Sequence, residues 1–211
     1  FSKTQHPSET QQIIAKMLNQ KSNTITVETR RLGGSFGSTE TQSFIFAVIC
    51  TLLAKKTKRA VKLRVDRDDD IIITGKRHDF YSEFEVGFDE RGVIKGLKLK
   101  LASRCGISPD LSGAINERAL LHVDNAYYLE NVLVENYLCK TNTASNTAFR
   151  GFGANQAMMA IENIIDYIAT SLKKDSAEIR RRNFYQKKKK NITHYNMKIE
   201  DNVIQEIFDQ L

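Results

Sequence analysis

Two short glycine loops, more than a hundred residues apart, limit what this chain can fold into. The first is Gly33-Gly34-Ser35-Phe36-Gly37-Ser38-Thr39-Glu40. The second is Ser145-Asn146-Thr147-Ala148-Phe149-Arg150-Gly151-Phe152-Gly153. Each sets glycines around an aromatic and a charged residue, and each leads into a helical segment. Glycine lets backbone N–H groups approach a ligand closely, and a helix N-terminus favours negative charge. Either loop alone reads as an ordinary structural turn. A pair of them can grip an anionic group from two sides.

The periodicity around the loops predicts the elements that carry them. Ile13, Ile14, Met17 and Leu18 are spaced for a helix over 8–19, with Ser8 as cap. Ile25, Val27 and Thr29 alternate as in a strand over 24–30. Residues 41–56 read as a helix apolar on nearly every side, hence buried. Residues 60–66 read as the next strand. This βαβ start gives way to paired strands over 82–88 and 93–101, turning at Asp89-Glu90-Arg91-Gly92. A short helix within 109–121 and a strand over 132–139 follow. After the second loop, 155–172 is a long helix with Met158, Ile161, Ile165 and Ile168 on one stripe. Shorter helices are expected at 176–183, capped by Asp175 or Ser176, and at 200–211. The expected class is α+β, in mixed layers with a βαβ start.

Composition excludes several functions. No run of about 18 apolar residues exists, so no membrane span is expected, and the first residues form no secretory signal. Cys50, Cys105 and Cys139 lack the spacing of a zinc or iron–sulfur site and read as buried thiols of a cytoplasmic protein. The net charge of +7 raises the alternative of a nucleic-acid-binding domain. Much of the excess lies in Arg180-Arg181-Arg182 and Lys187 to Lys190, which read as solvated runs without an aromatic platform. The chain opens at Phe1 without Met, which suggests part of a larger subunit.

Several motifs together resemble one family. They are Thr4-Gln5-His6-Pro7-Ser8-Glu9, the two loops, Asp66-Arg67-Asp68-Asp69-Asp70, Thr74-Gly75-Lys76-Arg77-His78, Glu117-Arg118-Ala119-Leu120 and Asn191-Ile192-Thr193-His194-Tyr195-Asn196. Their order over essentially the whole chain is similar to that of the molybdenum hydroxylases, the aldehyde oxidase–xanthine dehydrogenase family, and most to its xanthine-oxidising branch. The resemblance implies the first molybdopterin-binding domain, residues 1–211, of a cytoplasmic oxidoreductase. It implies a molybdenum ion held through molybdopterin rather than by protein ligands. Iron–sulfur clusters and FAD are then expected on other domains or subunits, together with the rest of the molybdenum subunit, in an oligomer.

Residue roles follow from the same resemblance. Gln5, Phe36, Gly37 and Arg150 match cofactor-facing positions, with the Gln5 amide directed at a molybdenum ligand. Glu40 matches the glutamate that recognises a purine. Arg118 matches the arginine opposite, placed to stabilise charge developing during attack. Phe149 and Phe152 match aromatics around the substrate ring. Aldehyde-oxidising members generally lack the Glu/Arg pair, so a purine is the expected substrate, with aldehyde or N-heterocycle hydroxylation as the alternative. A non-catalytic structural domain is a further alternative. The expectation is that Gln5, Phe36, Arg150 and Phe152 converge on one cleft, and that this chain alone oxidises no xanthine because the family's general base lies elsewhere. Ser35 and Ser38 replace glycines usual in the family, as Ala154-Asn155 replaces Gly-Pro. Serine at a position needing positive φ would be strained.

Overall fold

The structure, a computed structural model, describes residues 1–211. It is α+β, and its chain divides into two compact units. One comprises Phe1–His78, Cys105–Ser112 and Lys140–Arg150. The other comprises Asp79–Arg104, Gly113–Cys139 and Gly151–Leu211.

The second unit holds the hydrophobic core. Strands β1 (Phe80–Phe88), β2 (Ile94–Gly106) and β3 (Val132–Lys140) form one sheet in that order. β1 and β2 pair antiparallel from Phe80 opposite Ser103, with a register break at Gly87/Phe88. Their turn is held by the Asp89 carboxylate, which accepts from the Arg91 and Val93 N–H groups at 3.0 Å each. Leu97, Leu99 and Leu101 of β2 alternate into the core, as a half-buried strand requires. There they join Ala157, Ile161, Ile164, Ile165 and Ile168 of helix α5 (Ala154–Leu172). Each fully buried isoleucine or leucine is worth about 1.5–3 kcal/mol relative to exposure. Met158 of the expected stripe is only half-buried.

Helices α4 (Ser112–Leu121), α6 (Ser176–Asn183) and α7 (Ile204–Gln210) complete this unit. Asp175 caps α6 by accepting from the Ala177 N–H at 2.6 Å. Buried Asn183 ties α6 to the sheet. Its Oδ1 accepts from the Ile94 N–H at 2.9 Å, and its Nδ2 donates to the Gly92 carbonyl at 2.8 Å.

The first unit contains helices α1 (Pro7–Leu18), α2 (Phe44–Thr57) and α3 (Arg67–Ile73). Ser8 does not cap α1; Pro7 occupies its first turn instead. α3 lies where no helix is expected. It starts because the Asp66 carboxylate accepts from the Asp69 N–H at 2.9 Å, and acidic residues fill its first turn.

Four sequence expectations fail in the structure: two strands, a buried helix and a set of buried thiols. Residues 24–30 and 60–66 belong to no strand, because no neighbouring strand supplies a ladder. Alternation does persist in 24–30, where Ile25, Val27 and Thr29 are half-buried and their neighbours exposed. Helix α2 is not buried either, since none of its residues is. Ile45, Ile49, Leu52 and Leu53 stand exposed along one side of it. Of the cysteines, Cys105 is buried, Cys50 half-buried and Cys139 exposed.

The helix that carries Arg118 is fixed at its C-terminal end by a buried polar cluster. His194 Nε2–H donates to the Leu120 carbonyl at 2.9 Å, while its Nδ1 lies 3.5 Å from Asp124 Oδ2. Tyr185 donates its hydroxyl to the same Asp124 oxygen at 2.7 Å. Burial alone would lower the His194 pKa, but Asp124 and the Leu120 carbonyl together raise it above 6.5. A raised folded-state pKa stabilises the fold fully below the unfolded value, and that contribution is lost as pH rises through the folded value. The destabilisation caused by His194→Ala is therefore expected to be larger at about pH 6 than at about pH 9. Denaturant unfolding of both proteins at the two pH values checks this, and an equal difference at both would contradict it.

Candidate functional site

In the first unit the two glycine loops meet backbone to backbone. Gly37 has φ +106°, and a Cβ placed on it would lie 3.0 Å from the carbonyl carbon and oxygen of Ala148 and 3.1 Å from Phe149 Cα. Only a residue without a side chain fits there. The Gly37 N–H donates to Gln5 Oε1 at 3.0 Å. Gln5, the Phe36-Gly37 turn and Phe149 are thus gathered in one place although they come from three parts of the sequence. The bond to Gly37 also fixes the Gln5 amide, with its oxygen on the loop and its Nε2 hydrogens left for a ligand.

The loop backbone is distinctive. Gly33, Gly34, Phe36 and Gly37 all have positive φ. Phe36 is a bulky residue at φ +55° and is 62 % exposed. Phe152, in the second unit, has φ +49° and is followed by Gly153 at +94°. The Phe-Gly pairs of both loops therefore share positive φ, which is costly for an aromatic residue and clusters at functional sites. Ser35 and Ser38 are not at positive φ. They brace the turn instead. The Ser38 hydroxyl donates to the Ser35 carbonyl at 2.8 Å, and the Ser35 and Thr39 hydroxyls bond to each other. The glycine-to-serine changes cost no backbone strain.

A third segment, 74–78, locks the loops together. The Gly75 N–H donates to Gln42 Oε1 at 2.8 Å. The Lys76 N–H donates to Asn146 Oδ1 at 3.1 Å, and the Thr147 N–H donates to the Lys76 carbonyl at 3.0 Å. Thr41 Oγ1 meets Thr147 Oγ1 at 3.2 Å. The Arg77 guanidinium lies over the Phe149 ring at 4.6 Å, and its buried Nη1 has no protein acceptor. Pattern and spacing alone give this Thr74-Gly75-Lys76-Arg77-His78 motif no role. Its glycine was the available signal, since a Cβ on Gly75 would sit 1.8 Å from the Ser145 carbonyl oxygen.

The remaining site residues are placed as follows. Glu40 lies in a turn, its N–H donating to the Gly37 carbonyl at 3.0 Å, ahead of α2 rather than in its first turn. Arg150 is exposed at the end of the first unit's share of the second loop. Arg118 and Phe152 belong to the second unit. Arg118 is exposed on α4, and the loop carrying Phe152 packs on that same helix. A Cβ on Gly153 would fall 2.0 Å from the Ile115 carbonyl oxygen. Gln5, Phe36, Gly37, Glu40, Phe149 and Arg150 thus lie in one unit and Arg118 and Phe152 in the other.

The basic runs behave differently from expectation. Lys187 to Lys190 are exposed, but Arg180 and Arg182 are half-buried. Arg180 bonds Glu162 and Asp166 at 2.8 and 3.0 Å, Arg182 pairs with Glu178, and Arg181 pairs with Asp209. Each arginine of the run is occupied by a carboxylate, so the run offers no cationic stripe to a phosphate backbone.

The donor set suits molybdopterin, an anionic group with many acceptor oxygens. The Gln5 amide hydrogens and the unmatched Arg77 Nη1–H are both donors. Comparison with known proteins agrees. The family model described as the molybdopterin cofactor-binding domain matches residues 1–184, and the chain belongs to that family. It is 42 % identical over 210 residues to the xanthine dehydrogenase/oxidase of Mus musculus and 40 % identical over 211 to the xanthine dehydrogenase of Dictyostelium discoideum. All of this chain matches in each case, but only 16 % and 15 % of those proteins. The fold is shared with quinoline 2-oxidoreductase from Pseudomonas putida 86, at TM-score 0.84 and 21 % identity over 99 % of this chain and 27 % of that one. It is shared equally with the aldehyde oxidoreductase of Desulfovibrio gigas, at TM-score 0.84 and 24 % identity over 95 % of this chain and 22 % of that one. No helix is long and apolar enough to cross a membrane.

Gly75→Ala drives a methyl group into the Ser145 carbonyl, so the 74–78 segment and the second loop must part. A loss of roughly 2–4 kcal/mol of stability is expected, at the upper end for single substitutions. Gly113→Ala, where a Cβ meets nothing within 4 Å, should change little. Thermal unfolding of the two variants against the parent checks the contrast.

Proposed function

We propose that this chain supplies the first half of the molybdopterin and substrate site in a molybdenum hydroxylase that oxidises xanthine or hypoxanthine. The observation that carries the reading is the meeting of the two glycine loops on the Gln5 amide. The cofactor, when bound, supplies the two-electron oxidation and the oxygen chemistry. The chain's own residues bind and orient. Gln5 donates from Nε2 to a cofactor oxygen, and the Phe36-Gly37 turn and Arg150 hold the pterin side. Phe36 and Phe149 wall the site against water.

On the substrate side, the Glu40 carboxyl bonds a purine ring nitrogen and steadies the proton there. The Arg118 guanidinium faces a purine oxygen and stabilises the negative charge that develops on the ring. Phe152 stacks on the ring face. The purine assignment is supported by the Glu40/Arg118 pair and by the xanthine dehydrogenase relatives. Iron–sulfur clusters and FAD on other domains or subunits of a cytoplasmic oligomer would carry the electrons away. The remainder of the molybdenum subunit completes the site. Aldehyde or N-heterocycle hydroxylation is the competing reading, since proteins of those names share the fold.

Arg118→Met in the intact enzyme removes a cation that acts more on the transition state than on bound substrate. Turnover of xanthine is expected to fall ~10²–10³-fold with a smaller change in KM. An aromatic aldehyde offers no oxygen to that guanidinium and should be spared. Steady-state kinetics on both substrates decides, and equal losses would make Arg118 structural and remove the main support for a purine.

A further inference from the structure

Helix α4 turns one face into the second unit and the other to solvent. Ile115, Asn116 and Ala119 are buried, while Ala114, Glu117, Arg118 and Leu121 are exposed. Asn116, at 1 % exposure, is the unexpected member of the inner face. A buried amide costs stability unless it is hydrogen-bonded. Its bonds run to both neighbouring strands. Asn116 Nδ2 donates to Ser103 Oγ of β2 at 2.7 Å. Asn136 Nδ2 of β3 donates to the Asn116 main-chain carbonyl at 2.8 Å. The Ser103 hydroxyl donates in turn to the Tyr137 carbonyl of β3 at 3.4 Å, which leaves its lone pairs to the Asn116 amide.

We infer that Asn116 is a positioning residue: clamped by Ser103 and Asn136, it fixes the rotation and slide of α4 on the sheet and thereby aims Arg118 at the substrate. The inference rests on the role proposed for Arg118 in binding a purine.

Asn116 does not act on Arg118 by contact. Two residues apart on a helix, side chains lie about 200° apart around the axis and do not face each other. One is buried here and the other exposed. What Asn116 controls is the helix itself. Apolar contacts such as those of Ile115 and Ala119 are non-directional and survive a small rotation or slide. A short hydrogen bond is directional and weakens steeply out of line. The side-chain bond to β2 and the main-chain bond from β3 act at one residue from two strands, so neither motion is free. His194 holds the same helix one turn further on, at the Leu120 carbonyl.

Small movements matter at this place. Helical side chains reach ~5–6 Å from the axis, so a rotation of about 15° shifts their ends by roughly 1.5 Å. A misplacement of about 1 Å is enough to cost on the order of a hundredfold in rate. The loop of Phe152 takes its position from the same turn, since Gly153 packs on the Ile115 carbonyl and the Ala119 nitrogen. Both residues that this unit offers to the substrate therefore refer to the turn that Asn116 anchors.

The test uses the intact enzyme. Asn116→Leu replaces the amide with apolar atoms of the same branching. Its thermal midpoint should be unchanged or higher, as when buried polar groups give way to apolar ones, and its molybdenum content unchanged. Turnover of xanthine should fall roughly 10- to 100-fold, with an aromatic aldehyde spared. On an Arg118→Met background the same change should cost less than about twofold more, because Asn116 acts through Arg118. Ser103→Ala removes the acceptor from outside the helix and should act in the same direction, so it decides if Asn116→Leu does not fold. Full xanthine turnover in the single variants would overturn the inference. So would a joint fall of thermal midpoint and of both activities, which is what a purely structural role produces. A crystal structure of the folded single variant separates this inference from the purine reading. If Arg118→Met shows no preference between substrates, the purine reading fails, and α4 displaced on β2 still supports the positioning role. An α4 that has not moved overturns it whatever the substrate.

Discussion

The close approach of Gly37 to the Ala148 carbonyl and Phe149 Cα is the contact on which the candidate site depends. It brings two loops to one place without a side chain between them. Everything nearby is arranged to preserve it. Gln5 accepts from the Gly37 N–H on one side, while Gln42, Asn146 and Thr147 knit the 74–78 segment to the loops on the other. Such a junction has few solutions, because each partner is backbone and cannot rotate away. Phe36 beside it is then held in a left-handed conformation that it would not choose freely, turned largely to solvent. Exposed aromatic surface on a strained, hydrogen-bonded turn is costly for stability and useful for gripping a flat ligand.

The two units differ in how they meet that cost. The second packs isoleucines of α5 against alternate leucines of β2 and is stabilised by its own core. The first carries the residues proposed to face the cofactor and buries very little. Its site is held by hydrogen bonds and close backbone contacts rather than by apolar burial. The second loop passes from one unit to the other between Arg150 and Gly151. Arg150, proposed to face the cofactor, and Phe152, proposed to face the substrate, are therefore two residues apart in sequence, yet belong to different units.

Much of this was legible in the sequence, for identifiable reasons. Helix α5 and the β1–β2 hairpin could be read because their periodicity and turn residues agree with what they pack against. The strands expected at 24–30 and 60–66 could not be confirmed by pattern, because a strand needs a partner and alternation alone supplies none. Helix α2 misled for a related reason: an apolar sequence says that burial is favourable, not that a covering layer is present among these residues. Arg180 and Arg182 looked solvated as a run, but Glu162, Asp166 and Glu178 lie across or along helices where only folding brings them into reach. Gln5, the Phe36-Gly37 turn and Phe149 were found through family resemblance, and spacing could not have paired them. Arg77 escaped assignment because its stacking on Phe149 joins positions 72 residues apart in sequence.

The metal and pterin content of the intact protein bears most directly on the cradle. Elemental analysis with pterin fluorescence, on the natural protein and on Gly37→Val, compares a closed loop junction with one forced apart. About one molybdenum and one pterin per chain are expected in the natural protein, with both lost in the variant while its circular dichroism is retained. A natural protein that holds neither, or a folded Gly37→Val protein that keeps both, would contradict the assignment of these loops as the cofactor cradle.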